Sequence, residues 1–125
     1  MAGPTTSLQD AQVLVLEDDY YLACDLQDAL EAAGATVLGP FSDAAEAQAS
    51  LAGRPPDCAF VDVNLGEGPS YALPRTLSKL AVPFAFITGY DSRAIPEEFD
   101  GVDRFEKPVG ARQVVQAATR LLRRD

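Results

Sequence analysis

A doubly wound α/β fold is the architecture this 125-residue sequence predicts, and three observations predict it. Short apolar runs, continuous as in strands buried on both faces, recur at residues 13–16, 58–61 and 84–87. Segments of helical periodicity separate them, so strand and helix alternate, as parallel strands joined by right-handed crossovers require. The 47% hydrophobic and 23% charged residues suit a single domain, which buries roughly two-thirds of the surface its unfolded chain exposes.

Residues 1–10 read as a flexible polar leader and 11–125 as the domain. Val13-Leu14-Val15-Leu16 forms a first strand that stops at Glu17-Asp18-Asp19. From Tyr20 to Ala33 the residues Leu22, Leu26, Ala29, Leu30 and Ala33 fall at helical spacing, and Gly34 supplies the left-handed stop. Thr36-Val37-Leu38-Gly39 makes a short second strand closed by Pro40. Asp43 followed by Glu46 is an acidic version of a capping box, and the alanine-rich stretch to Leu51 favours a second helix before Gly53 and Pro55-Pro56. Cys58-Ala59-Phe60-Val61 is a third strand ending at Asp62. A loop with Gly66, Gly68 and Pro69 leads into a helix over residues 70–80, where Pro74 is tolerable in the first turn or at a kink. Phe84-Ala85-Phe86-Ile87 forms the fourth strand, ending at Thr88-Gly89. Residues 89–101 are polar and interrupted by Gly and Pro, so the fourth helix is expected to be reduced or mobile, with one short helix at most around 96–99. Residues 102–106 give a weak fifth strand. Ala111, Val114, Val115, Ala118, Leu121 and Leu122 form the stripe of a last helix, whose final turn carries Arg120, Arg123 and Arg124 at the negative end of its dipole.

Composition removes several classes of function. The chain has no histidine, which excludes Ser-His-Asp and Cys-His catalysis, histidine metal ligation and a phosphohistidine of its own. Cys24 and Cys58 are too few for a disulfide framework and lack zinc spacing; they read as small apolar residues in a reducing, cytoplasmic setting. A net charge of -9 argues against nucleic acid as a partner. The charge is uneven: residues 1–70 hold 12 acids and one base, and residues 71–125 hold 7 acids and 9 bases. No apolar run approaches the ~18 residues of a membrane span, and residues 1–10 lack the pattern of a signal peptide.

In an open parallel sheet ligands collect beyond the carboxyl ends of the strands, where the strand order reverses; for the order 2-1-3-4-5 this is between strands 1 and 3. The residues at those ends are Glu17-Asp18-Asp19, Asp62, Thr88 and, after strand 5, Lys107-Pro108. Acids brought together need a cation, and an oxygen-only set suits Mg²⁺. A lysine and a hydroxyl beside them complete the parts that hold a phosphoryl group. Taken singly, the acids read as a solvated helix start, Lys107 as a surface lysine and Thr88 as a strand end; their convergence favours the site.

With these residues, spaced 44, 26 and 19 apart from Asp18 through Asp62 and Thr88 to Lys107, the chain resembles the receiver domain of bacterial two-component response regulators over essentially its whole length. The resemblance implies a flavodoxin-like sheet, phosphorylation of Asp62, and Mg²⁺ held by Asp18, by Glu17 through water, by Asp62 and by the carbonyl of Asn64. Asp19 would start the first helix instead of binding metal. Thr88 would contact the phosphoryl oxygen, Gly89 would leave room for it, and Lys107 would pair with the phosphate. The Lys107-Pro108 bond is commonly cis in such domains.

The stretch Pro83-Phe84-Ala85-Phe86-Ile87-Thr88-Gly89-Tyr90 further resembles the signature of the single-domain "FAT GUY" receivers, departing from it at Ile87, where that group usually has Ala. Receivers commonly carry an aromatic switch three residues before the lysine; this chain has Arg104 there, so Gly89, Tyr90 and the segment 89–101 become the candidates for carrying the signal.

The expected function is that of a phosphoacceptor signalling module and not of a turnover enzyme: self-phosphorylation dependent on Mg²⁺, slow self-dephosphorylation, and phosphate received from a histidine kinase or histidine phosphotransfer protein. Because no effector segment follows residue 125, output is expected through protein–protein contact with a downstream partner, from a monomer or weak dimer, with no nucleic acid or membrane involved. The resemblance makes the first helix the kinase-docking surface, which puts Tyr20, Leu22, Cys24 and Leu26 near candidate contacts, although most of the apolar ones should face the core. Two other classes compete. A phosphohydrolase resembling the haloacid dehalogenase group needs a second Asp two residues after the nucleophile, where this chain has Asn64. A degenerate receiver that is never phosphorylated conflicts with every core position being filled.

Overall fold

The structure, a computed structural model, describes residues 8–63, 71–89, 95–107 and 109–123. Along the chain these form β1 (Gln12–Leu16), α1 (Tyr20–Ala32), β2 (Thr36–Phe41), α2 (Ala44–Ser50), β3 (Cys58–Asp62), α3 (Ala72–Lys79), β4 (Phe84–Thr88), a 3-10 turn (Glu97–Phe99), β5 (Arg104–Glu106) and α4 (Ala111–Leu122). All strand pairs are parallel, in the order β2-β1-β3-β4-β5. This is the doubly wound sheet that the alternation of elements predicts, in the flavodoxin-like order that the resemblance implies.

Each central strand feeds two cores because its side chains alternate between faces. Val13 and Val15, Cys58 and Phe60, and Ala85 and Ile87 pack with α1 and α4. Leu14 and Leu16, Ala59 and Val61, and Phe84 and Phe86 pack with α2, α3 and Phe99 of the 3-10 turn. Burial on both sides explains why these strands read as unbroken apolar runs.

The helix ends follow from local chemistry. The Asp19 side chain accepts from the backbone N–H groups of Tyr21 and Leu22 at 3.0 and 3.2 Å, which makes it the N-cap of α1. Asp43 caps α2 in the same way, accepting from Ala45 N–H at 2.7 Å. After α1 the chain turns at Gly34, whose φ of +103° favours glycine, and a Cβ there would lie 3.0 Å from Gln9 Cα. The approach of Gln9 goes with the docking of the neighbouring Leu8, which is 1% exposed and whose N–H donates to the Ala33 carbonyl at 2.9 Å.

Two boundaries differ from expectation. Pro40 does not close β2: the strand continues to Phe41, which pairs with Leu16 across a register shift between Leu14 and Leu16. β2 lies at the edge of the sheet, where a proline's missing N–H costs no ladder bond on the open side. β5 is confined to three residues, because 100–102 turn instead of extending. Between β4 and β5 the described residues hold only the 3-10 turn, in keeping with a reduced fourth helix. Pro74 sits third in α3, within the first turn, where its lack of an N–H costs nothing. Cys58 is buried in β3, and burial pushes its thiol up to about 12, so it behaves as a small apolar residue; Cys24 on α1 is half-buried.

Candidate functional site

The strand order reverses between β1 and β3, and the chemistry-bearing residues gather at the carboxyl ends of those strands. Glu17 follows β1 directly; its N–H donates to the Phe41 carbonyl at 2.8 Å and its side chain is turned inward, leaving the residue 2% exposed. Asp62 is the last residue of β3 and is equally buried, while Asp18 is exposed. One carboxylate oxygen from each of Glu17, Asp18 and Asp62 lies within 4.8 Å of the others. Lys107, just past β5, is anchored by its backbone N–H to the Thr88 carbonyl at 2.9 Å. Its Nζ donates to Asp62 Oδ2 at 3.0 Å and to Glu17 Oε2 at 3.1 Å, and Glu17 Oε2 also accepts the Asp19 N–H at 2.9 Å. Thr88 ends β4 and is buried, one residue beyond Ile87, which is in register with Asp62. Gly89 and Lys107 line a cavity of about 570 Å³ that extends past Tyr21 and Leu22 of α1 to Val109.

Not all expected site residues are brought together. Asn64, Tyr90 and the Lys107-Pro108 bond lie outside the described residues. Arg104 is on the exposed edge strand with its guanidinium 3.9 Å from Asp100, and forms no part of the pocket. On α1, Leu26 is 1% exposed and belongs to the core, so it offers no contact to a partner; Leu22 and Cys24 are half-buried, and Tyr20 projects into solvent.

No family model and no curated protein sequence matches the chain. Solved structures do. A response regulator receiver protein from Burkholderia phymatum superposes with a TM-score of 0.78 at 23% identity, over 90% of this chain and 95% of that one. The BeF3-activated receiver domain of nitrogen regulatory protein C gives a TM-score of 0.74 at 24% identity, over 91% and 95% of the two chains. SdrG from Pseudomonas melonis Fr1, in its BeF3-activated conformation, is 30% identical over 98% of this chain and 99% of its own, with a TM-score of 0.75. The chain belongs to the response-regulator receiver domains.

In this receiver the pocket carries more negative than positive charge. Burial pushes the Glu17 carboxyl up to about 8 and Asp62 alongside pushes the same way, against the opposing pull of the Asp19 N–H and Lys107. Burial draws the Lys107 ammonium down, but the hydrogen bonds to Asp62 and Glu17 outweigh it and hold the group above the ordinary lysine value. Lys107 therefore stays charged, one cation against three carboxyls. Glu17 Oε1 is buried with no hydrogen-bond partner among the described residues. An orphaned carboxyl oxygen and an oxygen-only donor set fit a hard divalent ion such as Mg²⁺, held by Glu17, Asp18 and Asp62.

Sequence reasoning missed Tyr71, Arg75 and Glu98 of the receiver. Tyr71 stacks on Phe99 with ring centroids 5.7 Å apart, and Arg75 pairs with Glu98 at 3.0 Å. Both contacts join α3 to the 3-10 turn, 23 to 28 residues away, a separation at which no periodicity within one element signals a contact.

Proposed function

We propose that this receiver accepts a phosphoryl group on Asp62 from the phosphohistidine of a histidine kinase or phosphotransfer protein, and that its phosphorylated form is read by another protein. The observation that carries the reading is the Lys107 ammonium held between Asp62 and Glu17 at 3.0 and 3.1 Å, beside a three-carboxyl cation site. In the transfer a carboxylate oxygen of Asp62 forms a bond to phosphorus, the phosphorus–nitrogen bond of the donor breaks, and the imidazole nitrogen leaves with the electron pair. Lys107 neutralises charge on the incoming oxygens, and Thr88 offers its hydroxyl to one of them. A bound Mg²⁺ supplies electrostatic relief between the attacking carboxylate and the phosphoryl oxygens. By the family resemblance Asn64, outside the described residues, would be a further ligand through its carbonyl.

SdrG and nitrogen regulatory protein C have both been captured in BeF3-activated forms, and beryllofluoride on a carboxylate has the shape and charge of a phosphoryl group. That supports the same chemistry here. The stretch around Thr88, which resembles the FAT GUY signature except at Ile87, supports a reading as a receiver of that group; in this proposal its output is protein–protein contact and it works as a cytoplasmic monomer or weak dimer. No helix among the described residues is long and apolar enough to cross a membrane.

Incubation with acetyl phosphate and Mg²⁺, followed by intact-mass measurement, tests the proposal. One added phosphoryl group is expected, absent without Mg²⁺ and absent in Asp62→Ala. Phosphate release many times faster than the decay of the isolated adduct identifies a hydrolase instead, and a wild-type chain with neither adduct nor phosphate release refutes phosphorylation.

A further inference from the structure

β4 carries Thr88 at its end and two phenylalanines on the same face. Phe84 and Phe86 belong to the core under α2 and α3, Ala85 and Ile87 to the opposite one, so the alternation puts Thr88 in the row of Phe84 and Phe86. Two further rings close over that row. Phe99 of the 3-10 turn lies 5.4 Å from Phe86 and 6.1 Å from Phe84, both edge-on. Tyr71, the N-cap residue of α3, stacks on Phe99 at an interplanar angle of 25° and meets Phe86 edge-on at 6.4 Å. Tyr71 opens the first described element after Asp62, and Phe99 belongs to the first described element after Thr88. The elements that follow the two site-bearing strands thus share one aromatic cluster.

A polar clasp sits over the rings. The Arg75 guanidinium donates to both oxygens of Glu98, at 3.0 to 3.3 Å, and its Cζ lies 6.0 Å over the Tyr71 ring. Arg104 is in register with Phe86 on the neighbouring strand. The charges of Arg104 and Arg75 both act on the Tyr71 hydroxyl, which burial holds above the ordinary tyrosine value.

From this arrangement we infer that Tyr71 and the Arg75–Glu98 pair couple α3 to the 3-10 turn, so that a change at Thr88 moves along the Phe86 row and shifts both elements as one unit. The inference rests on the phosphorylation of Asp62. Close-packed rings shift as a group, because a displaced ring has no void to enter. The bidentate pair bridges the two backbones outside the rings, so α3 and the turn cannot separate without breaking it. Ordinary core packing accounts for the rings alone and gives the exposed Arg75–Glu98 pair no part in the response.

The test is amide NMR of the full chain, titrated with beryllofluoride and Mg²⁺, in wild type, Tyr71→Leu and Glu98→Gln. In the wild type, shift changes are expected in both 72–79 and 97–102 with one midpoint. In both variants the site still binds beryllofluoride, but the response at 97–102 is expected to be lost or to separate from that at 72–79. Wild-type behaviour of both segments in both variants overturns the inference. Should Tyr71→Leu fail to fold, Glu98→Gln, which alters a half-exposed side chain, decides alone. Acetyl phosphate mass measurements on the same samples separate the two levels. Wild type left without an adduct removes the phosphorylation reading and the coupling with it, whereas an adduct with unaltered coupling in the variants removes the coupling alone.

Discussion

Glu17 combines near-complete burial, an orphaned oxygen and a carboxyl pushed up to about 8, and the pH behaviour of the metal-free protein follows from it. Its pKa lies above the ordinary 4.5, so the folded state binds this proton more tightly than the unfolded chain does. The resulting stability is fully present below 4.5 and is lost as pH rises through about 8. Thermal melts without metal are therefore expected to fall in Tm across that window, with Glu17→Gln flattening the decline. A divalent ion must displace the same proton, so Mg²⁺ affinity, measured by titration calorimetry, is expected to rise with pH up to about 8 and then level off. The positions of Glu17, Asp18, Asp62 and Thr88 were legible in the sequence because each ends or follows a strand whose apolar run marks it, whereas Lys107 follows only a weak, charged fifth strand. The division of Lys107 between two carboxylates depends on side-chain packing that no run of residues spells out.

At the level of single elements, α1 joins structure to function. Asp19 accepts two backbone N–H groups at its start and sits between the metal-site acids and the exposed rings of Tyr20 and Tyr21. Asp19→Ala is expected to cost about 1 kcal/mol in urea unfolding, the usual worth of an N-cap. It is expected to leave the acetyl phosphate adduct on Asp62 intact, since Asp19 is not among the clustered carboxyls. Loss of the adduct in a folded Asp19→Ala protein contradicts that division of roles. The helices were legible through their caps and periodicity, as at Asp43 before α2 and Gly34 after α1. β2 was not fully legible, because Pro40 signals a stop wherever a strand is central, and only the sheet order reveals that this strand is at the edge.

Across the whole molecule charge is distributed unequally. Asp18, Asp19, Asp25, Asp28 and Glu31 are all exposed on or just before α1, in a chain of net charge -9. A protein donor docking there needs a basic face, and its association is expected to slow as salt is added. Acetyl phosphate is itself an anion approaching a negative pocket, so added salt is expected to quicken its reaction or leave it unchanged. Stopped-flow phosphorylation with the two donors across a salt series checks the opposite signs; a common direction for both contradicts α1 as the docking face. The alternation of elements made the doubly wound sheet legible from sequence, while its order 2-1-3-4-5, and with it the crevice, came from the family resemblance. The aromatic bridge from α3 to the 3-10 turn became visible only when distant segments were packed together.

The proline in β2 and the brevity of β5 have a consequence for the protein in bulk. An open sheet has two flanks at which a stranger's backbone might add itself, and such addition is how fibrils begin. One flank here lacks a donor at Pro40, and the other offers three residues, two of them charged, with Arg104 and Glu106 on either side of Phe105. Among the described residues both margins of the sheet therefore offer little for another backbone to pair with, where a longer, plainer border would template growth.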